Sequence, residues 1–258
     1  MVTVVVFGIL PQFGAPTTLS ASQVLDRSLQ TIASANGVEM LEYELVADGI
    51  ARGSWRIHLV IDHERPTRYR AMTFGPDGEV QAAISQDPVR QRRSQLFRVD
   101  GRNYIVNVTP LPNPMLSLPQ MATALAETVI TMMQATSDQK LALVEGPSGK
   151  QYVIEIPPMP PSKSVATLDL HRARTVVGAS DFRIHEFEAA GTLLRQPFSI
   201  SFTLIQHVVL SGDVKMTPDP FELPRGPGDV VLEGVPTDHP FEEALTTIVR
   251  ELARSRTF

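Results

Sequence analysis

Between Phe198 and Val208 apolar and polar residues change places at almost every step. Phe198, Ile200, Phe202, Leu204 and Val208 hold the even positions, and Ser199, Ser201, Thr203 and His207 the odd ones. Successive strand residues point to opposite faces, so this segment reads as a strand with one dry and one wet face, in an antiparallel setting. Ile205 and Gln206 break the rule. The same period recurs upstream. Trp55, Ile57, Leu59 and Ile61 alternate with Arg56, His58 and Asp62, and Leu41, Tyr43 and Leu45 alternate with Glu42 and Glu44. Further strands are predicted at Val80–Ser85, Gln95–Val99, Tyr104–Val108, Gln151–Ile156, Val165–His171 and Phe182–Ala189. Turns are expected at Pro76-Asp77-Gly78, at Asp100-Gly101 and around Gly191.

Three segments follow the helical period instead. Ser20 and Gln23 have capping-box spacing ahead of Val24, Leu25, Leu29 and Ile32, and Asn36-Gly37 is the expected stop. Ser117 and Gln120 repeat the spacing, with Leu118, Met121, Leu125, Val129, Ile130, Met132 and Met133 following, which read as plain core under the sheet or else as a lid over an apolar cavity. Pro240 opens a last helix bearing Phe241, Leu245, Ile248, Val249 and Leu252 on one face. Pro218–Pro236 reads as loop. About ten strands with helices between and around them give an α+β fold: a large antiparallel sheet with helices on one face. Residues 21–258 are expected to form one domain.

Composition narrows the function. The chain has 258 residues, no cysteine and a net charge of -5. Thiolate metal sites, disulfides and cysteine nucleophiles are excluded, and a basic nucleic-acid footprint is absent. The apolar run Val2–Leu10 is too short to span a bilayer. Residues 1–20 are read as a signal peptide or the stub of a membrane anchor, with a loose N-terminus as the plainer account.

No residue set announces catalysis. His58 and His63 stand five apart, on opposite faces of one strand, and read as a surface pair. Asp62-His63-Glu64 reads as a solvated turn. Asp169 with His171, and His185 with Glu188, lack a nucleophile. Gly146 to Lys150 lacks the first glycine and the Mg-binding hydroxyl of a phosphate loop and reads as a turn. Arg90, Arg92, Arg93, Arg98 and Arg102 read as a solvated face balanced by acids, or else as a contact for an anionic headgroup or partner. No metal or cofactor is called for.

Three stretches carry a family resemblance: Ala21–Gly37 running into Val38–Asp48, the hairpin Asp181–Leu210 with Arg183-Ile184, and Phe221-Glu-Leu-Pro224 with Gly226 and Asp229-Val230. Together they resemble the LolA/LolB-type lipoprotein carriers and the RseB-like periplasmic regulators of envelope-stress sigma factors. The resemblance implies a half-barrel, a curved antiparallel sheet with helices covering its concave side. It also implies a non-catalytic, periplasmic or otherwise extracytoplasmic binding protein. Its cavity would hold acyl chains of a lipid or lipoprotein, with Trp55, Ile57, Leu59, Phe198, Ile200, Phe202 and Leu204 as walls and Leu118, Met121 and Leu125 as lid. The alternative it leaves open is a sensor or regulatory domain of an anti-sigma system, acting through an envelope protein partner.

Overall fold

A computed structural model describes residues 19–49, 52–65, 67–109, 139–147, 149–158, 168–193, 195–210, 219–234 and 248. The expected lid segment at Leu118, Met121 and Leu125, and residues 1–18, lie outside them. The chain opens with helix α1 (Ala21–Ala33). Its start is the predicted capping box: the Gln23 amide donates to Ser20 Oγ at 3.2 Å, and the Ser20 amide to Gln23 Oε1 at 2.8 Å. Each satisfies an amide that a helix start leaves without a partner. The helix ends at Ala33, before Asn36-Gly37, and Gly37 instead turns the chain at a φ of 73°.

Strands β1 (Val38–Asp48), β2 (Gly53–Asp62), β3 (Tyr69–Phe74), β4 (Val80–Asp87), β5 (Arg92–Val99) and β6 (Arg102–Val108) form one antiparallel meander. The predicted turn between β5 and β6 places Asp100 and Gly101 both at positive φ, as a tight hairpin requires. A second meander comprises β7 (Lys140–Gly146), β8 (Gly149–Ile156), β9 (Leu168–Gly178), β10 (Ile184–Leu193) and β11 (Gln196–Leu210). Antiparallel pairing of β1 with β11 joins the two, and β12 (Val230–Gly234) adds parallel to β6. Among the described residues the result is one open, twelve-stranded antiparallel-rich sheet with edges at β12 and β7, an α+β half-barrel.

Several sequence expectations need correction. Lys140–Gly146 is a strand, and Val230–Gly234 is a strand inside the expected loop. The turn between β10 and β11 includes Arg195, while Gly191 lies within β10. Glycine is required there because a Cβ would overlap the backbone carbonyl of Asp169. The register also explains the broken alternation in β11. Tyr43 faces Leu204 and Glu42 faces Gln206, so Ile205 is the extra residue of a β-bulge. Beyond it the phase reverses, and His207 rather than Val208 shares a face with Leu204. Further bulges fall at Gln81, His185 and His171. Each bends its strand and increases local twist, which curves the sheet.

Residues directly opposite one another share a face. One face carries the row Trp55, Leu45, Phe202, Phe187, Thr175, Ile154 and Leu141 across β2, β1, β11, β10, β9, β8 and β7. Helix α1 packs on this concave face, with Val24 and Leu25 buried against Ile154, Ile156, Ala173 and Val177. At the other end of the same face, helical Ile248 is buried on Tyr104, Val106 and Val108. The opposite face buries Leu223 against Met72, Ala83, Leu96 and Ile105.

The segment around Phe221 is strapped to that opposite face by arginines. The Arg68 guanidinium lies 4.1 Å from the Phe221 ring centroid, and Arg68 and Arg90 both reach Asp219 at 3.2 Å. Arg90 and Arg92 also pair with Glu222, and Ser85 Oγ donates to the Phe221 carbonyl. Phe221→Ala is expected to cost about 3 kcal/mol or more in urea unfolding. Loss of the cap in Ser20→Ala should cost about 1 kcal/mol.

Candidate functional site

The predicted wall residues come together on the concave face. Trp55, Ile57 and Leu59 stand opposite Leu45, Tyr43 and Leu41 of β1, and Phe202 and Leu204 stand opposite Leu45 and Tyr43 from the other side. All are half-buried. The wall divides at Phe202. Phe198 and Ile200 pack against the cluster beneath α1, so they belong in part to the core. Trp55, Ile57, Leu59, Phe202 and Leu204 form an apolar strip beside it. Phe187 extends the strip, its ring centroid 6.4 Å from that of Phe202. The Trp55 ring lies along its own strand over Gly53, where a Cβ would come within 2.8 Å of the indole.

Two clefts lie elsewhere. One of about 390 Å³ is walled by Lys140, Glu155, Arg172, Arg174 and Glu188 with Ile156 and prolines. Another of about 370 Å³ is lined by Glu44, Ser54, Arg56, His58 and Phe74 and touches the strip only at Trp55. Among the described residues no group of three or more His, Asp or Glu side chains is placed to hold a metal ion.

At the Val38 end of the strip lies a polar group that sequence reasoning did not assemble. Glu39 projects onto the concave face with only 5% of its side chain exposed. His63 Nε2 donates to its Oε2 at 2.7 Å, and His207 Nε2 to its Oε1 at 2.9 Å. Arg183, from the turn between β9 and β10, also pairs with Oε1. Only 7% of the His63 side chain is exposed, so it is not half of a surface pair. His58 lies on the other face, 3.3 Å from Glu42. Asp62 is buried too and caps its turn, accepting from the Glu64 and Arg65 amides.

Burial pushes the Glu39 carboxyl up. The His63 hydrogen bond and the positive charge of Arg183 and the two histidines outweigh that and hold it below its ordinary 4.5. Burial, with the Glu39 charge adding, pushes the Tyr43 hydroxyl up to about 12 against the pull of Arg183. Tyr43 therefore stays a neutral donor at physiological pH.

The remaining sequence candidates stay structural. Asp169 and His171 form an exposed pair at 3.4 Å. His185 meets Asp181 at 3.4 Å and is the bulged residue of β10. In the arginine group, Arg90 and Arg92 pair with Glu222, Arg98 pairs with Glu79 at 2.8 Å, and Arg102 donates to the Gly228 carbonyl. Arg93 is buried within the sheet and is no contact surface.

No protein-family profile matches the chain, and no curated protein does. Solved structures similar to the chain include a LolA superfamily protein from Nitrosomonas europaea, at 11% identity and a TM-score of 0.29, covering 75% of this chain and 95% of that one. Others are a putative outer-membrane lipoprotein-sorting protein domain from Vibrio parahaemolyticus, at 7% identity and 0.29 over 74% and 93%, and a DUF1329 family protein from Desulfovibrio piger, at 9% and 0.26 over 77% and 95%.

A folded-state pKa below the unfolded value makes Glu39 stabilising above about pH 4.5, and that contribution is lost as pH falls through the folded pKa. Glu39→Gln leaves Arg183 without its buried partner and should cost about 3 kcal/mol at neutral pH. In urea titrations followed from pH 7 into acid, the gap between variant and parent should close as pH falls below about 4.5.

Proposed function

We propose that this chain is a non-catalytic, extracytoplasmic binding protein whose concave face holds acyl chains of a lipid or lipoprotein. The observation that carries the reading is the apolar strip of Trp55, Ile57, Leu59, Phe202 and Leu204, half-buried between the two ends of the face that α1 and Ile248 occupy. Isolated exposed apolar residues need no explanation, but a contiguous strip across β2, β1 and β11 does. An acyl chain laid on it gains about 0.8 kcal/mol per buried methylene, and no chemistry or cofactor is required. The Leu118, Met121 and Leu125 segment is proposed as the lid, since methionine-rich surfaces adapt to varied apolar ligands.

A second reading, a sensor or regulatory domain acting by protein contact, is favoured by the edge strand β7. Its Leu143 and Val144 are exposed on opposite faces, and among the described residues no strand pairs with its outer edge. Charges or proline usually blunt such edges, and the Leu141–Val144 stretch of β7 carries neither.

Native mass spectrometry of the protein purified from its own host, before and after organic extraction, should show acyl adducts that extraction removes. Phe202→Asp should abolish uptake of a fluorescent fatty acid, while Val144→Lys on β7 leaves it intact. A folded parent protein that carries no lipid and takes up no probe would contradict the acyl reading and leave the contact reading standing.

A further inference from the structure

The polar group at the end of the strip supplies a head-group chemistry for the ligand; the inference rests on the acyl-binding reading. Its carboxylate is the inner member. Both Glu39 oxygens are engaged and 5% of the side chain is exposed. The outer members are Arg183, 15% exposed, and His207, 26% exposed. One guanidinium nitrogen of Arg183 is committed to Glu39, and among the described residues its other N–H groups have no acceptor. Asp181, next to Arg183 in the turn, is turned to the Arg183 amide and to His185. What the group presents outward as donors is therefore the remaining N–H groups of the Arg183 guanidinium, suited to a planar carboxylate or a phosphate.

Its position fits an amphiphile. His207 stands opposite Leu41, and Leu41 opposite Leu59, so the polar group borders the apolar strip directly. From the row of Glu39 to the row of Leu45 and Trp55 is about 20 Å along β1 at ~3.4 Å per residue. One leaflet of a bilayer's hydrocarbon core, the reach of an acyl chain, is about 15 Å. A head at one end and a tail lying toward Trp55 fit that length.

We propose that the concave face selects amphiphiles with an anionic head, a carboxylate or a phosphate ester, that Arg183 binds the head, and that Glu39 acts as a positioning residue holding its guanidinium.

Palmitic acid, hexadecyl phosphate, hexadecanol and hexadecylamine share one chain and differ in head, and each can be competed against a fluorescent acyl probe. The anionic pair should bind at least about tenfold more tightly than hexadecanol, a difference of about 1.4 kcal/mol. Whichever of the two is tighter assigns the head as carboxylate or phosphate. Inorganic phosphate without a chain should not displace the probe; displacement by it would mean a free-anion site and overturn the amphiphile. Single loss of Arg183 can unfold the protein by stranding Glu39, so the double variant Glu39→Gln/Arg183→Gln removes both charges together. It should keep the parent's affinity for hexadecanol and lose the anionic preference. Equal binding of palmitic acid and hexadecanol by the parent, tightest binding of hexadecylamine, or a preference that survives in the double variant would overturn the head-group assignment alone. Failure of palmitic acid and hexadecanol alike to bind would overturn the acyl reading and this inference with it.

Discussion

The pairing of β1 with β11 is the seam on which the concave face depends. It joins two meanders far apart in the chain, and its register decides which side chains meet. A one-residue slip in a strand sends every side chain beyond it to the other face. The bulge at Ile205 is such a slip, built in once. Before it, Phe202 and Leu204 face Leu45 and Tyr43; after it, His207 faces Leu41. Without the extra residue the histidine would turn to the convex side, and Glu39 would lose a donor in a place where an unpaired carboxylate is costly. The apolar strip and the polar group at its end are therefore set by one backbone irregularity.

Coverage of the face follows from the same layout. Helix α1 seals the β8–β10 part and Ile248 the β6 part, both by burying aliphatic side chains on strand residues of matching face. The convex side is held differently, by the arginine-strapped segment around Phe221. That division of labour puts Arg90, Arg92 and Arg98 into ion pairs on the convex side, and among the described residues it leaves the strip of β1, β2 and β11 between the two covered parts of the concave face.

The strands carrying the strip were legible because a half-buried strand writes its own period. Trp55 to Leu59 and Phe198 to Leu204 alternate within a few residues, and α1 announced itself by its capping box. What depends on distant partners was not legible. Glu39 meets His63 across 24 residues and His207 across 168, and nothing local marks them as neighbours. Lys140–Gly146 escaped because an edge strand exposed on both faces has no periodicity to read. Gly191 looked like a turn, but its small size serves the close approach of Asp169 within a strand. The irregularity at Ile205 and Gln206 was visible, yet its meaning as a bulge needed the register of β1.

Trp55 is the one tryptophan in the chain and stands in the strip, so its fluorescence reports on the proposed ligand surface alone. The most direct measurement is quenching of that fluorescence by fatty acids carrying a nitroxide near the tail or near the head. An acyl chain lying toward Trp55 with its head at Arg183 predicts saturable quenching, stronger for the tail label than for the head label. Saturable binding of the labelled fatty acids with no quenching by either label would place the chain off the strip and contradict the account.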